Sequence, residues 1–277
     1  MTSVSVVIPT YNSEPFIVRT LDAVLAQSRR PDEVIVVDDC SADRTIEVVQ
    51  KHALFAAWPN ARVIQLKRNS GPGAARNSGW NLASSEFVAF LDADDSWHSS
   101  KLECQLAAME RNRWAAFSGH KYIVSATGFA NDENVGMPSY REMTLSHFLV
   151  KNRFSTPSMM LRTSLAMRFS EDREIAEDYL LQLKLLASGH RALMINAPLV
   201  CLHKRAYGDS GLSSELKRME YKDLRSFSLL RRDGDISVSQ FLGASCLSYL
   251  KYLRRLIVVR MRQLSMRRNL KSVETSD

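Results

Sequence analysis

The sequence predicts an α/β protein: a mostly parallel sheet flanked by helices, followed by a helical, basic C-terminal extension. Three observations carry this. Short β-branched runs alternate with helix-spaced segments through the first hundred residues. Three of those runs end in polar or acidic residues. The positive charge is gathered at the far end of the chain. Strands alternating with helices of about 10–15 residues are the pattern of βαβ units, and sheets of that kind bind ligands at the carboxyl ends of their strands.

The elements follow in order. Val4-Ser-Val-Val-Ile8 is a strand that stops at Pro9. Phe16 to Gln27 has helical spacing, with Ile17, Leu21, Val24 and Leu25 on one side. Glu33 to Asp38 is a second, buried-type strand running into acids, Asp43 to Ala57 a helix, and Ala61 to Leu66 a third strand. Pro72 to Ala83 is a helix opening after Gly71, and Phe87 to Leu91 is a fourth strand ending in Asp92-Ala-Asp-Asp95. The second half is less regular. Ala115 to Phe129 reads as a hairpin and Asn131 to Met143 as a loop. Glu177 to Ala187 reads as a helix, Ala192 to Leu202 as a strand broken at Pro198, and Tyr207 to Ser214 as a flexible loop.

A chain of 277 residues suits one large domain with an appendage. Its 45% hydrophobic and 24% charged residues exclude disorder as the default. Cys40, Cys104, Cys201 and Cys246 form no CxxC pair, which argues against a zinc cluster or disulfide framework and fits a reducing cytosol. The N-terminus has no basic, apolar leader pattern, and no apolar run reaches the roughly 20 residues of a spanning helix, so neither a signal peptide nor a membrane span is expected. The net charge of +7 is uneven: from Lys251 onward eight basic residues stand against two acidic ones, leaving only +1 for everything before. Basicity therefore belongs to the tail and points to an anionic partner surface.

Asp92-Ala-Asp-Asp95 carries the most chemistry. Three carboxylates in four residues repel one another unless a cation or donors sit among them. Mg²⁺ binds through one or two carboxylates plus substrate phosphates, and positions i and i+2 of an extended chain face one side, as Asp92 and Asp94 would. The bland alternative is a solvated acidic turn or a helix cap. Asp38-Asp39 is a second acidic pair at a strand end, equally readable as turn and cap residues. Asn69 to Asn77 is a Gly-rich loop entering a helix. It does not match the dinucleotide fingerprint, yet the helix N-terminus and Arg76 favour an anion.

Four segments now stand together: Val6-Val-Ile-Pro-Thr-Tyr-Asn12, Val37-Asp-Asp-Cys-Ser-Ala-Asp43, Gly71-Pro-Gly-Ala-Ala-Arg-Asn77 and Phe90-Leu-Asp-Ala-Asp-Asp95. In order and approximate spacing they resemble the family 2 glycosyltransferases, inverting enzymes of the Rossmann-like GT-A fold that include bacterial surface-polysaccharide enzymes. The resemblance covers about the first 210 residues. It implies transfer of a sugar from a nucleotide-diphosphate donor, most commonly a uridine carrier, to a hydroxyl acceptor. Pro9, Thr10 and Tyr11 would line the base pocket, with Tyr11 on the nucleobase face. Asp38 or Asp39 would accept from base or ribose, and Arg76 would sit near the nucleotide. Asp92 would contact ribose or sugar, Asp94 would hold a divalent Mn²⁺ or Mg²⁺ bridging the diphosphate, and Asp95 would support it or the sugar. Glu177-Asp178 resembles the family's acidic pair at a helix start, with Asp178 the general base and Glu177 its supporting acid. The alternative is that both only complement the helix dipole. In the segment after Leu202, His203 would be a metal ligand and Lys204 and Arg205 would steady the phosphates; a plain surface basic loop explains these three equally.

The resemblance implies an in-line displacement in which Asp178 takes the acceptor's proton. The processive QxxRW motif is not matched: Arg113-Trp114 follows Glu110 and precedes Asp178. A single-addition enzyme is expected. The expected division is a catalytic domain over 1–212, with a nucleotide half of about 1–98 and an acceptor half of about 99–212, and a basic helical region over 213–277. In that region Leu247, Leu250, Leu253, Ile257, Val258, Met261 and Leu264 alternate with cations, the pattern of a membrane-surface helix. A helix packed on the body or a dimer contact fits the same pattern. The expected setting is cytoplasmic, with the inner membrane face as a peripheral seat if the tail binds lipid, and a lipid-linked saccharide as the acceptor that would make sense of it. No nucleic-acid motif accompanies the charge. The rival classes are a sugar nucleotidyltransferase, whose basic phosphate loop after the first strand is not matched here, and a silent nucleotide-sugar-binding scaffold.

Overall fold

The computed structural model describes residues 2–129, 135–136, 138–203 and 212–274. Strands and helices are numbered in chain order. β1 (Val4–Thr10), β2 (Glu33–Asp38), β3 (Ala61–Gln65) and β4 (Phe87–Phe90) form a parallel block in the order β3-β2-β1-β4. β1, β2 and β4 are apolar on both faces because helices cover both. Alternate side chains divide between two cores: Val4, Val6 and Ile8 enter one, and Val7 enters the other. The sheet continues through β8 (Met160–Arg162), β6 (Phe117–Val124), β9 (Ala192–Leu202) and β5 (Ser96–Trp97), with β7 (Tyr140–Met143) paired to β9. In this half β6 and β9 are parallel and the remaining pairings antiparallel, so the α/β sheet is mixed beyond β4.

α1 (Ile17–Leu25) buries Ile17, Thr20, Leu21 and Val24, the spacing expected of it. The single helix expected over Asp43 to Ala57 is two, α2 (Thr45–Lys51) and α3 (Ala53–Ala57). His52 separates them: its backbone is extended, and its Nδ1 accepts the Leu54 amide at 3.2 Å, capping the second. α4 (Pro72–Leu82), α5 (Lys101–Arg111), α6 (Leu145–Val150) and α7 (Glu177–Ala187) follow.

Three further expectations are corrected. Asn131 to Met143 is not all loop, because its last four residues form β7 on the edge of β9. Ala115 to Phe129 is not a hairpin, because β6 runs straight between β8 and β9. Gly119 within it is no turn residue. A Cβ there would lie 2.2 Å from the Phe154 ring, so glycine admits a close approach. Pro198 does not end the last segment. β9 passes through it with a register slip, Ile195 pairing His120 and Pro198 pairing Lys121, while Asn196 turns its amide to Ser139 O at 2.8 Å.

The C-terminal region forms α8 (Leu212–Arg232) and α9 (Val238–Glu274). Phe227, Leu230, Ile236 and Ala244 belong to the same apolar cluster as α6 and α7, and Phe227 meets Tyr179 edge-on at 5.9 Å. The start of the tail is therefore packed on the body. Beyond Ala244 the apolar side chains Leu250, Ile257 and Met261 are exposed.

Candidate active site

The parallel register sets the site. Thr10 pairs with Asp38 across β1 and β2, and Leu91 N extends β4 onto Val7 O at 3.1 Å, so all three polar strand ends emerge on one edge. Turns there are locked by local bonds. Asn12 and Cys40, both with positive φ (48° and 65°), carry the chain out of β1 and β2. Asn12 accepts the Ala42 amide at 2.9 Å and donates its own amide to Ser41 Oγ at 2.9 Å.

The acidic pair is split by this geometry. Asp38, fully buried, accepts from Thr10 Oγ1 at 3.3 Å, from Ser41 N at 3.0 Å and from the Ser41 hydroxyl. It braces the two turns and does not line the cavity in front of them. Asp39 does line it, while accepting the Ser70 and Gly71 amides, each at 2.7 Å. This fixes the Gly-rich loop, where Gly71 takes φ 93°, a conformation that disfavours a side chain. Two residues on, a Cβ at Gly73 would fall 2.2 Å from Ser170 O, so the start of α4 is pressed against the 170 loop.

Arg76 stands one turn into α4 and is only 5% exposed. It donates to Asp92 Oδ1 at 2.8 Å and to Glu177 Oε1 at 2.9 Å, with its guanidinium 5.5 Å from the Phe169 ring centroid. Burial pulls its pKa down, but Asp92, Glu177 and Asp178 together push it above the ordinary value, so the charge is permanent. The ion triad joins the end of β4 to the start of α7. Removing one partner of a buried pair typically costs about 3–5 kcal/mol. With Asp92 and Glu177 a quarter and a fifth exposed, Arg76→Ala is expected to lose about 3 kcal/mol. Urea denaturation at pH 8 and pH 5 checks this: the loss should shrink at the lower pH, where Asp178, raised to about 6 and held down by Arg76, takes up its proton. Equal losses at both values would refute the ion-pair origin.

The Asp92–Asp95 turn is clamped from α1. Arg19 donates to Asp94 O at 2.7 Å, and Thr20 Oγ1 donates to Ala93 O and Asp95 O at 2.8 and 2.9 Å. Both residues escaped the sequence reading, which used only the apolar face of α1; nothing local marks a helix residue whose partner lies seventy positions on. Asp95 is buried and accepts the His203 amide at 3.3 Å behind the cavity. The Asp94 carboxylate lines the cavity beside Asp92, and no described side chain or amide pairs with it.

The cavity itself measures about 550 Å³. It gathers Pro9, Thr10, Tyr11, Asp39, Arg76, Asp92, Asp94 and Glu177 from the predicted set. Tyr11 is half exposed at its mouth. Arg173, Arg218 and Lys222 also line it, the last two from α8, which the sequence reading assigned only to the tail. Lys204 and Arg205 lie outside the described residues. His203, expected as a metal ligand, has Nε2 engaged by Ser96 Oγ at 2.7 Å and Nδ1 3.4 Å from Ala126 O. Among the described residues no three His, Cys, Asp or Glu side chains form a group able to hold a metal ion. Two carboxylates plus a diphosphate do suit Mg²⁺ or Mn²⁺, so Asp94 and Asp92 fit such an ion provided the nucleotide completes its coordination.

Asp178 lies behind Glu177. Its Oδ1 accepts the Tyr179 amide at 2.7 Å and its Oδ2 the Thr156 hydroxyl at 3.3 Å. Burial first, then Glu177, raise its pKa to about 6, against the lowering pull of Arg76.

The family model described as Glycosyl transferase family 2 matches residues 5–174. The chain belongs to that family. This glycosyltransferase is 32% identical over 238 residues to the succinoglycan biosynthesis protein ExoO of Rhizobium meliloti, covering 79% of this chain and 65% of that one. It is 38% identical over 136 residues to the putative teichuronic acid biosynthesis glycosyltransferase TuaG of Bacillus subtilis, covering 49% and 53%. The chain thus spans about half to two thirds of the length of these two relatives. It is 30% identical to the UDP-Glc:alpha-D-GlcNAc-diphosphoundecaprenol beta-1,3-glucosyltransferase WfgD of Escherichia coli, covering 78% and 82%. Among solved structures, S. aureus TarS 1-349 in complex with UDP-GlcNAc superposes with a TM-score of 0.64 at 25% identity, covering 88% of this glycosyltransferase and 70% of TarS. The mannosyltransferase PcManGT of Pyrobaculum calidifontis, in complex with GDP-Man and Mn²⁺, shares the fold with a TM-score of 0.65 at 22% identity, covering 90% and 70%. The GT-A fold expected of the sequence is the observed one. The family match ends at residue 174, so the roles of Glu177 and Asp178 rest on geometry.

Proposed function

We propose that this glycosyltransferase transfers a single sugar, with inversion, from a uridine-diphosphate donor to a hydroxyl of a saccharide or lipid-linked saccharide during bacterial surface-polysaccharide assembly. The observation that carries it is the meeting of three strand ends in one cavity, with the Asp94 carboxylate, unpartnered among the described residues, on its wall and Asp178 just behind it. Tyr11 offers a face for the base, and Asp92 and Arg76 form the boundary toward the acceptor side. Asp94, beside Asp92, would hold a divalent ion, which supplies charge stabilisation for the departing diphosphate. Asp178 accepts the acceptor proton, and its raised pKa suits a base working near neutral pH. The uridine preference is supported by the TarS complexes and by the donor in the WfgD name.

Because the described residues offer too few ligands for an ion alone, nucleotide and ion should bind together. Calorimetry with UDP, with and without Mn²⁺ or Mg²⁺, is expected to show at least tenfold tighter UDP binding with the ion, and no measurable ion binding without UDP. A panel of nucleotide sugars, assayed for binding and slow hydrolysis, names the donor. No binding to any member with either ion would sink the assignment, and tight binding without turnover on any acceptor would put the silent scaffold ahead.

A further inference from the structure

Where α6 ends against α9, Lys151, Lys251, Arg254 and Arg255 surround a cavity of about 460 Å³ floored by Leu216, Val258 and Val259. None of the four cations makes an ion pair among the described residues. Lys251 gives its amine to Val150 O, and its pKa is pulled down first by burial and then by Arg255, Arg153 and Lys151. Like charges held this close, with no carboxylate among the lining residues, are a cost that a bound anion relieves.

This cavity is tied to the proposed base by Asp223 of α8. Burial and then Glu220 raise that carboxyl to about 7; the charges of Asp178, Arg255 and Lys251 also act on it. Glu220, 5% exposed, accepts from Ser248 Oγ at 3.1 Å with one oxygen and keeps Oε1 buried without a donor among the described residues. Asp223, with Glu220 acting on it, is thus within electrostatic reach of both the base and the cation cluster with its apolar floor.

The geometry points to a second anion site, resting on the proposed function. The Lys151–Lys251–Arg254–Arg255 cavity holds the phosphate of a lipid-linked acceptor. The lipid's first segment lies on Leu216, Val258 and Val259, and the sugar is directed past Asp223 and Glu220 to Asp178. The exposed Leu250, Ile257 and Met261 of α9 continue the apolar path toward a bilayer surface.

The test uses the full chain; amphiphile binding is read in EDTA, so that no ion binds at Asp94, and nucleotide binding is read separately with Mn²⁺. Its probes are farnesyl diphosphate, inorganic pyrophosphate, and phosphatidylglycerol vesicles. Wild type is expected to bind farnesyl diphosphate at least tenfold more tightly than pyrophosphate. A Lys251→Glu, Arg255→Glu double variant should lose at least tenfold of that affinity while keeping UDP binding with Mn²⁺. Lys151→Glu, on the opposite wall, serves where the α9 variant does not fold. Equal amphiphile binding by wild type and variants overturns the site. So does vesicle binding without farnesyl diphosphate binding, which assigns the cations to bulk membrane attraction. A wild type that binds the amphiphile but no nucleotide sugar upholds this site and fells the donor reading instead.

Discussion

Asp94→Ala is expected to lower kcat/KM by about 10³-fold or more, with the metal dependence of the residual activity abolished. Ionic stabilisation of a leaving oxygen supplies several kcal/mol, and each 1.4 kcal/mol is about tenfold in rate. The structure makes this substitution unusually clean. The turn is held through its backbone carbonyls by Arg19 and Thr20, not through the Asp94 carboxylate. Removing that carboxylate orphans no described donor, so stability should move by less than about 0.5 kcal/mol, as for an exposed site. Steady-state kinetics over a Mn²⁺ titration, alongside urea denaturation, measure both. A loss smaller than that of Asp178→Asn, with metal dependence unchanged, would remove Asp94 from the role. Asp95→Ala should behave differently: that side chain is buried, and its loss should register as instability.

The contrast between these neighbours shows what was readable from sequence. The parallel block was legible because strands buried on both faces are unbroken β-branched runs, and because their ends switch abruptly to Thr10, Asp38 and Asp92. Which member of each acidic cluster faces the ligand was not. Asp38 and Asp39 differ only in which side of the chain they leave, and that is decided by Ser41 on one side and the Ser70–Gly71 amides on the other. The break at His52 depends on a ring nitrogen capping Leu54, which periodicity does not register. The close approach of the Phe154 ring to Gly119, thirty-five residues away, is likewise invisible in the local sequence of the expected hairpin. The contribution of α8 was hidden for a related reason. Arg218 and Lys222 sit in a charged, amphipathic helix like any solvated one until its packing on α7 turns them to the cavity.

Asp178→Asn is expected to lower kcat by about 10²–10⁴-fold, the usual worth of a general base, and to erase the acid limb of the wild-type pH profile. The sign follows from the protonation state required. Asp178 must be ionised to accept the acceptor's proton, so wild-type kcat/KM falls tenfold per pH unit below about 6 and levels off above it. An ordinary aspartate would place that limb near 3.9. Burial and Glu177 lift it, and Arg76 restrains it, so Arg76→Ala should move the limb upward. Stability runs the other way. A folded-state pKa above the unfolded value favours the protonated fold: the stabilisation is full below about 3.8 and is lost as pH rises through about 6. At pH 8 the ionised group is therefore a cost, and Asp178→Asn should be as stable as wild type or more so, by up to about 1–2 kcal/mol. A variant that is less active and more stable separates catalysis from folding in one pair of measurements. An acid limb near pH 6 that persists in Asp178→Asn, or a variant within threefold of wild type, would assign the proton to another group, with Asp223 the next to test.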